Sequence, residues 1–269
     1  MKHQPLSIIA SAVAVTLLST PTNAQDRPKL HLSSRWKQCS IQLDPSLTQS
    51  AWHQFTQEAG QVVYFRPLAD AQPMGRGNFE FSVMQWQTNV DDKTSAWNDT
   101  FVHPDSTHWL YEGGGLQFPG LAFRAGLTPS TDVGVYFTKN PQANYGVYGV
   151  QLQQNLVRSG TDGWDVSARA SFVSLFGPED VDLNVYGVDV VTSWKHWRFG
   201  RVALVPYAGV ATYLAGSHEK SRLVNLADER VTGVMGTAGA ALQFSVVRVS
   251  AEASMSRVPS IAMKVGIAR

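Results

Sequence analysis

The chain holds one cysteine, Cys39, among 269 residues. A single thiol excludes an intrachain disulfide framework, so stability has to come from packing and hydrogen bonding. Charge is scarce as well. Asp, Glu, Lys and Arg supply 16% of the residues, against roughly 25% in an ordinary soluble domain. The formal net charge is +1, which offers no basic field for nucleic acid. Beyond the first 24 residues no segment reaches the ~18 consecutive apolar residues of a spanning helix. From Gly77 onward helical periodicity is missing too. The length suits one large domain or two small ones.

What is present begins at the N-terminus. Lys2 and His3 precede the apolar run LSIIASAVAVTLL, and the small-residue stretch STPTNA follows before Gln25. A short basic start, an apolar core and an A-x-A-like site predict a secretory signal peptide over residues 1–24. Its removal takes away Lys2 and no acid, leaving 21 basic against 21 acidic side chains. Cys39 lies far past that run, which argues against a lipid-modified cysteine at the mature N-terminus.

Residues 25–75 form an N-terminal extension. An extended arm over 25–43 leads to LDPSLTQSAWHQFTQEAG, which predicts a helix over 45–59. Asp44 can cap it, Pro45 suits the first turn and Gly60 suits the stop. Leu47, Ala51, Phe55 and Ala59 share one face. This helix is expected either to plug a lumen or to cap a barrel from the periplasm. VVYFRPL reads as a short extended run and ADAQPMGRG as a turn-rich linker.

From residue 76 the sequence alternates with a period of two. Leu121, Phe123, Ala125 and Leu127 alternate with Ala122, Arg124 and Gly126. Val247, Val249, Ala251, Ala253 and Met255 alternate with Arg248, Ser250, Glu252, Ser254 and Ser256. The pattern predicts strands with one apolar and one polar face. They fall at 76–89, 113–127, 131–138, 144–157, 163–175, 181–195, 199–214, 232–244, 247–257 and 260–268. Eight or twelve strands are the alternatives to ten, because 245–247 lacks a good turn residue. The run 181–195 changes phase near Gly187, as a bulge or a strand rising past an apolar band would.

Two arrangements fit such strands. A soluble β-sandwich buries the apolar parity; a membrane barrel turns it to lipid and lines a lumen with the polar parity. Three features favour the barrel. The polar parity carries Gly126, Gly134, Gly149, Gly209, Gly239 and Gly266, as a crowded interior requires. Counted back from a periplasmic C-terminus, the long connections 90–112 and 215–231 fall on one side and short turns on the other. Trp164, Trp194, Trp197 and Phe199 flank the short turns, with Phe137, Tyr145 and Phe172 near the opposite rim, as two aromatic girdles would.

The signal segment, the repeated alternation and the terminal run IAMKVGI resemble small bacterial outer-membrane β-barrel proteins. The resemblance covers roughly residues 76–269 and is architectural, with no activity-defining motif. Such barrels typically end on an aromatic residue, whereas this chain ends GIAR, with Ile267 nearest that role. The resemblance implies a closed antiparallel all-β transmembrane barrel in a Gram-negative cell envelope, porin-like, with outer-membrane lipid as its first partner.

On the polar parity lie Arg124, Gln151, Gln153, Asp165, Arg169, Asp189, Arg248, Glu252 and Lys264. They are the expected lumen-lining set, with the charges pairing across the interior. Glu252 and Lys264 become cross-strand neighbours if the last hairpin turns about Val258. A narrow channel or a ligand-contacting barrel follows, with a small solute or ion as partner. One alternative is a barrel hydrolase using the 99–108 loop, where His103, Asp105, Ser106 and His108 are weak catalytic candidates. Their crowding in sequence is no sign of triad geometry. Another is a secreted lipocalin-like small-molecule binder. No metal, cofactor or nucleic-acid site is expected, and catalysis is not the favoured reading.

Overall fold

The computed structural model describes residues 38–91, 93–102, 115–159, 163–194 and 197–269. Residues 1–24, expected as a signal segment, residues 25–37 and the candidates His103, Asp105, Ser106 and His108 lie outside the described residues.

In chain order the elements are β1 (Ser40–Ile41), α1 (Gln49–Val62), β2 (Phe79–Thr88), α2 (Ser95–Asn98), β3 (Phe101–Val102), β4 (Leu116–Gly126), β5 (Thr131–Lys139), β6 (Gly146–Arg158), β7 (Trp164–Phe176), β8 (Val181–Trp194), β9 (Trp197–Phe199), β10 (Val202–Glu219), β11 (Glu229–Phe244), β12 (Val247–Met255) and β13 (Ser260–Ala268). Ten of these strands form the wall. β2, β4, β5, β6, β7, β8, β10, β11, β12 and β13 each pair antiparallel with the next, and β13 pairs with β2 to close the circle. Closure leaves no sheet edge unpaired. The short β9 only extends the β10 edge, and β1 and β3 form a separate two-stranded ladder.

The period-two pattern locates the wall strands to within a few residues. The connection between β11 and β12 is a tight turn in which Ser245 takes φ 54°. A left-handed position normally favours glycine, which is why the sequence gives no turn signal there. The bulge expected near Gly187 is absent, since β8 pairs in continuous register from Val181 to Trp194. A register shift occurs instead between Asn155 and Val157 in β6.

The phase change in β8 is the other expected case, a strand rising past an apolar band. Between the short-turn rim and Gly187 the outward residues are Trp194, Thr192, Val190 and Val188, while Asp189 and Ser193 point inward and are buried. Past Gly187 the polarity exchanges sides. Val181, Leu183 and Val185 are buried inside, and Asp182 points out. β2 does the same. Phe79, Phe81 and Val83 are exposed opposite buried Glu80 and Ser82, and then Met84 and Trp86 turn in while Gln85 and Gln87 turn out. Each of these strands is apolar-outside near the short turns and apolar-inside near the long loops.

The inner apolar tier receives the N-terminal segment. α1 lies inside the wall near the long-loop rim, where the Thr56 hydroxyl meets Ser217 Oγ at 2.6 Å and the Tyr213 hydroxyl donates to Gln57 O at 2.9 Å. The helix begins four residues later than expected. Thr48 is the N-cap, its side chain accepting from Ala51 N. Asp44 instead closes a preceding turn by accepting from Ser46 N at 2.8 Å. Nor does Gly60 stop the helix, which continues to Val62. A Cβ on Gly60 would sit 2.7 Å from both the Ala215 Cβ and the Tyr213 ring. That glycine is there for close approach of helix to wall. Gly60→Leu is therefore expected to destabilise the barrel by about 1–3 kcal/mol, the range for overpacking. The urea midpoint of the compact, heat-modifiable gel band measures it.

Candidate functional site

The sequence expected a lumen lined by charge, and a closed interior makes charge costly unless each group is paired or hydrogen-bonded. Arg124, Gln151, Gln153, Asp165, Arg169, Asp189, Arg248, Glu252 and Lys264 are all buried on inward-facing positions of the wall. They occupy the tier between α1 and the short-turn rim. The space they surround is filled by residues 63–74, which run from the end of α1 toward Phe79.

Three ionic clusters hold this tier. Arg248 bridges Asp70 of the inner segment, at 2.6 Å, and Glu80 of β2, at 3.4 Å. Glu80 also pairs with Lys264 of β13 at 2.6 Å. The Glu80–Lys264 pair crosses the β13–β2 seam, joining the first wall strand to the last. Arg124 pairs with Asp132 at 2.5 Å, and Asp132 in turn accepts from Met74 N. Arg169 faces Asp189 in register on the neighbouring strand, at 3.5 Å. Asp189 also accepts from the Tyr64 hydroxyl at 3.0 Å.

The expected Glu252–Lys264 pair does not form. The last hairpin turns about Arg257, one position earlier than expected, and Ser254 pairs with Ser260. That shift sets Glu252 opposite Ala262 and Lys264 opposite Ser250. Glu252 instead lies in the field of Arg169 and Arg66. Tyr145 also departs from expectation. It is buried inside, edge-on to Phe101 at 6.1 Å. The outward aromatic cluster at its height is made by Phe137, Tyr148 and Phe176, with Phe137 and Phe176 stacked at 5.1 Å. Near the short turns Trp164 and Trp194 meet edge to face at 4.8 Å.

Sequence reasoning missed Glu80, Asp132, Asp70 and Arg66. The first two stand on the polar parity of β2 and β5, between Phe79 and Phe81 and before Val133, so alternation could have found them. Asp70 and Arg66 lie on a segment without any period. Arg66 is buried and donates back to its own segment, to the Gln61, Val62 and Tyr64 carbonyls. Its guanidinium sits 5.8 Å from the Trp86 ring centroid.

The long-loop rim is covered. The Ser40–Ile41 strand pairs with Phe101–Val102, and Asn144 exchanges hydrogen bonds with both backbone groups of Ile41. Trp97 of α2 donates to Glu58 of α1 at 2.5 Å. At the opposite rim a polar cleft of about 200 Å³ opens beside Gln72, Met74, Arg248 and Arg269. Among the described residues no three His, Cys, Asp or Glu side chains are grouped as metal ligands would be, and no helix is long and apolar enough to cross a membrane.

No protein-family model matches the chain, and no curated protein matches it. Solved structures with a similar form include the attachment invasion locus protein Ail of Yersinia pestis, at 14% identity and TM-score 0.30, covering 72% of this chain and 99% of that one. The N-terminal β-barrel domain of Pseudomonas aeruginosa OprF gives 12% and 0.28, with 72% and 99% covered. Acinetobacter baumannii Omp33 gives 10% and 0.31, with 71% and 97% covered. At these values the likeness is one of barrel form and carries nothing about activity.

The Arg248–Asp70 contact can be isolated by a double-mutant cycle. Arg248→Ala strands the Asp70 carboxylate and is expected to cost about 3–5 kcal/mol. Adding Asp70→Ala should recover part of that, with a coupling of roughly 0.5–3 kcal/mol. Unfolding in urea reads both, and strictly additive losses would show that the pair holds nothing.

Proposed function

We propose that this chain is a bacterial outer-membrane β-barrel whose own N-terminal segment keeps the lumen shut. The observation that carries the reading is the exchange of polarity part-way along β2 and β8. A soluble barrel has one dry face, the inside, at every height. A lipid-embedded barrel has a dry outside only as far as the bilayer extends. On β8 the outward residues from Trp194 to Tyr186 are apolar or aromatic apart from Thr192, and Asp182 follows beyond. That stretch is about 26 Å long at roughly 3.3 Å per residue, close to the ~25 Å apolar band of outer-membrane barrels before tilt is allowed for. Above the band the interior is an ordinary apolar core, built on α1, Trp86 and Trp97.

A lipocalin-like binder would reverse this, with its apolar parity inside at the height of Val83 and Val188, both of which are more than half exposed. A permanently open narrow channel would need free space along the axis, where residues 63–74 are buried or partly buried among wall side chains. The long-loop rim then faces the cell exterior and the short turns face the periplasm. Solute passage requires the inner segment to leave.

Two measurements test the reading. A charge at Val190, the outward residue at the centre of this stretch, should block membrane insertion, because Arg near the bilayer midplane costs about 2–4 kcal/mol on such barrels. Gln87→Arg, on the outward face above the band, should insert normally. Equal flotation and heat-modifiable migration for both variants would sink the membrane assignment. In planar bilayers the intact chain should show no steady conductance. Arg248→Ala with Arg124→Ala, which frees Asp70 and the Gln72 carbonyl from the wall, should produce openings; a steady open level from the unaltered chain would overturn the closed state.

A further inference from the structure

The contacts between wall and inner segment have an unusual bias. Lys264 Nζ donates to Pro67 O at 2.9 Å, Arg169 to Ala69 O at 2.5 Å and Arg124 to Gln72 O at 2.7 Å. Ser167 donates to Ala71 O at 2.6 Å, joined there by Asn155 at 3.2 Å. Higher up, Tyr136 donates to Val63 O at 3.0 Å and Trp86 to Val62 O at 3.2 Å. Two backbone N–H groups are held as well, Ala71 N by Ser193 and Met74 N by Asp132. The donors come from six different wall strands and converge on main-chain atoms. Among the described residues, the side chains of this stretch that hydrogen-bond to the wall are Tyr64 and Asp70. Main-chain contacts hold any extended peptide, while pockets for particular side chains select among peptides.

Two such pockets exist, and glycines make them. A Cβ on Gly149 would lie 2.9 Å from the Phe65 ring, and Gly134 flanks the same ring. A Cβ on Gly187 would lie 2.4 Å from the Tyr64 ring. Asp70 meets Arg248 five residues on from Phe65. The wall thus presents a row of carbonyl-directed donors, a pair of aromatic slots and one acid-binding cation.

We propose that the lumen is a polypeptide-binding conduit, and that residues 62–74 are its resident ligand. It takes a non-helical peptide carrying two adjacent aromatic residues and an acid five positions after the second, its backbone turning through the left-handed region at Leu68 between them. The conduit presupposes the membrane barrel proposed above, and the two fail separately. A failed barrel shows neither flotation nor heat-modifiable migration, whereas a failed conduit leaves both intact.

Attachment in cis gives the resident segment a high effective concentration, so the test severs it. A protease site is placed in the exposed turn at Arg76–Gly77 of the full-length chain. The cut protein is unfolded and refolded in detergent with an excess of fluorescent synthetic peptide of residues 60–76. The refolded, heat-modifiable barrel should retain the peptide. Asp70→Asn, or Tyr64→Ala with Phe65→Ala, in the peptide should weaken retention by on the order of tenfold or more. Gln72→Ala and Met74→Ala, whose described wall contacts are main-chain, should leave it unchanged. A folded barrel that retains no peptide, or holds all versions alike, overturns the proposal.

If the cut chain does not refold, the intact chain carrying Tyr64→Ala, Phe65→Ala and Asp70→Asn, which lacks every side-chain anchor of the resident segment, is unfolded and refolded with an excess of the same peptide bearing a photoreactive group at position 65. Labelling of β5 and β6 supports the conduit, and a folded barrel that takes no label overturns it.

Discussion

A polypeptide that crosses a closed interior without helix or strand has main-chain groups that water does not reach and that its own neighbours satisfy only in part, as Arg66 does for the Gln61, Val62 and Tyr64 carbonyls. Residues 63–74 are in that position, and the structure around them answers the problem. Leaving a buried carbonyl unpaired costs about 1–3 kcal/mol, so a dozen residues of irregular backbone would be untenable inside a greasy tube. The wall supplies Arg, Lys, Tyr, Trp, Ser and Asn donors at the heights where carbonyls pass. The carboxylates Glu80, Asp132 and Asp189 then neutralise the cations that this arrangement requires. The charged tier is thus secondary to the strap it holds. It is an anchoring surface first, and the same surface would line a path if the strap withdrew.

The two-tier interior follows from the same logic. Where the segment is helical its own backbone bonds are internal, and the surrounding wall can be apolar. Where it is extended the wall has to be polar. The change from Val181, Leu183 and Val185 to Asp189 and Ser193 along β8 coincides with the change from α1 to the stretch beginning at Val63. The outside of the barrel changes polarity near the same height and in the opposite sense. Both faces of β2 and β8 are therefore legible once the height is known, whereas β12 and β13 keep one apolar outer face throughout.

That coupling explains what could and could not be read from the sequence. The wall strands were legible because period-two alternation fixes faces within each strand, and β12 and β13 are nearly unbroken examples. The inward positions of Arg124, Arg169 and Lys264 follow from parity alone. The partner of Lys264 does not. It depends on a hairpin centre that Ser256, Arg257, Val258 and Pro259 leave ambiguous, and one position there moves the register by two. Asp70 and Arg66 were invisible, because an irregular strap has no period, and the partner of Asp70, Arg248, is distant in sequence. Gly60 misled for a related reason: a helix glycine can mark a stop or a close approach, and only the facing Tyr213 and Ala215 decide between them. The phase change at Gly187 was visible, but its cause lay in a helix more than a hundred residues away in sequence.

The seam between β2 and β13 has a consequence for biogenesis. The strap precedes β2 directly in the chain and follows a 14-residue helix that is wider than an extended peptide. Once Glu80 and Lys264 have zipped the two strands together, that helix would have to be reeled through a finished ring from the short-turn side. Folding avoids this if the strap is laid down first and the strands wrap it, as staves are set around a former. The N-terminal segment would then act as an internal scaffold whose early placement dictates the order in which the ring is assembled.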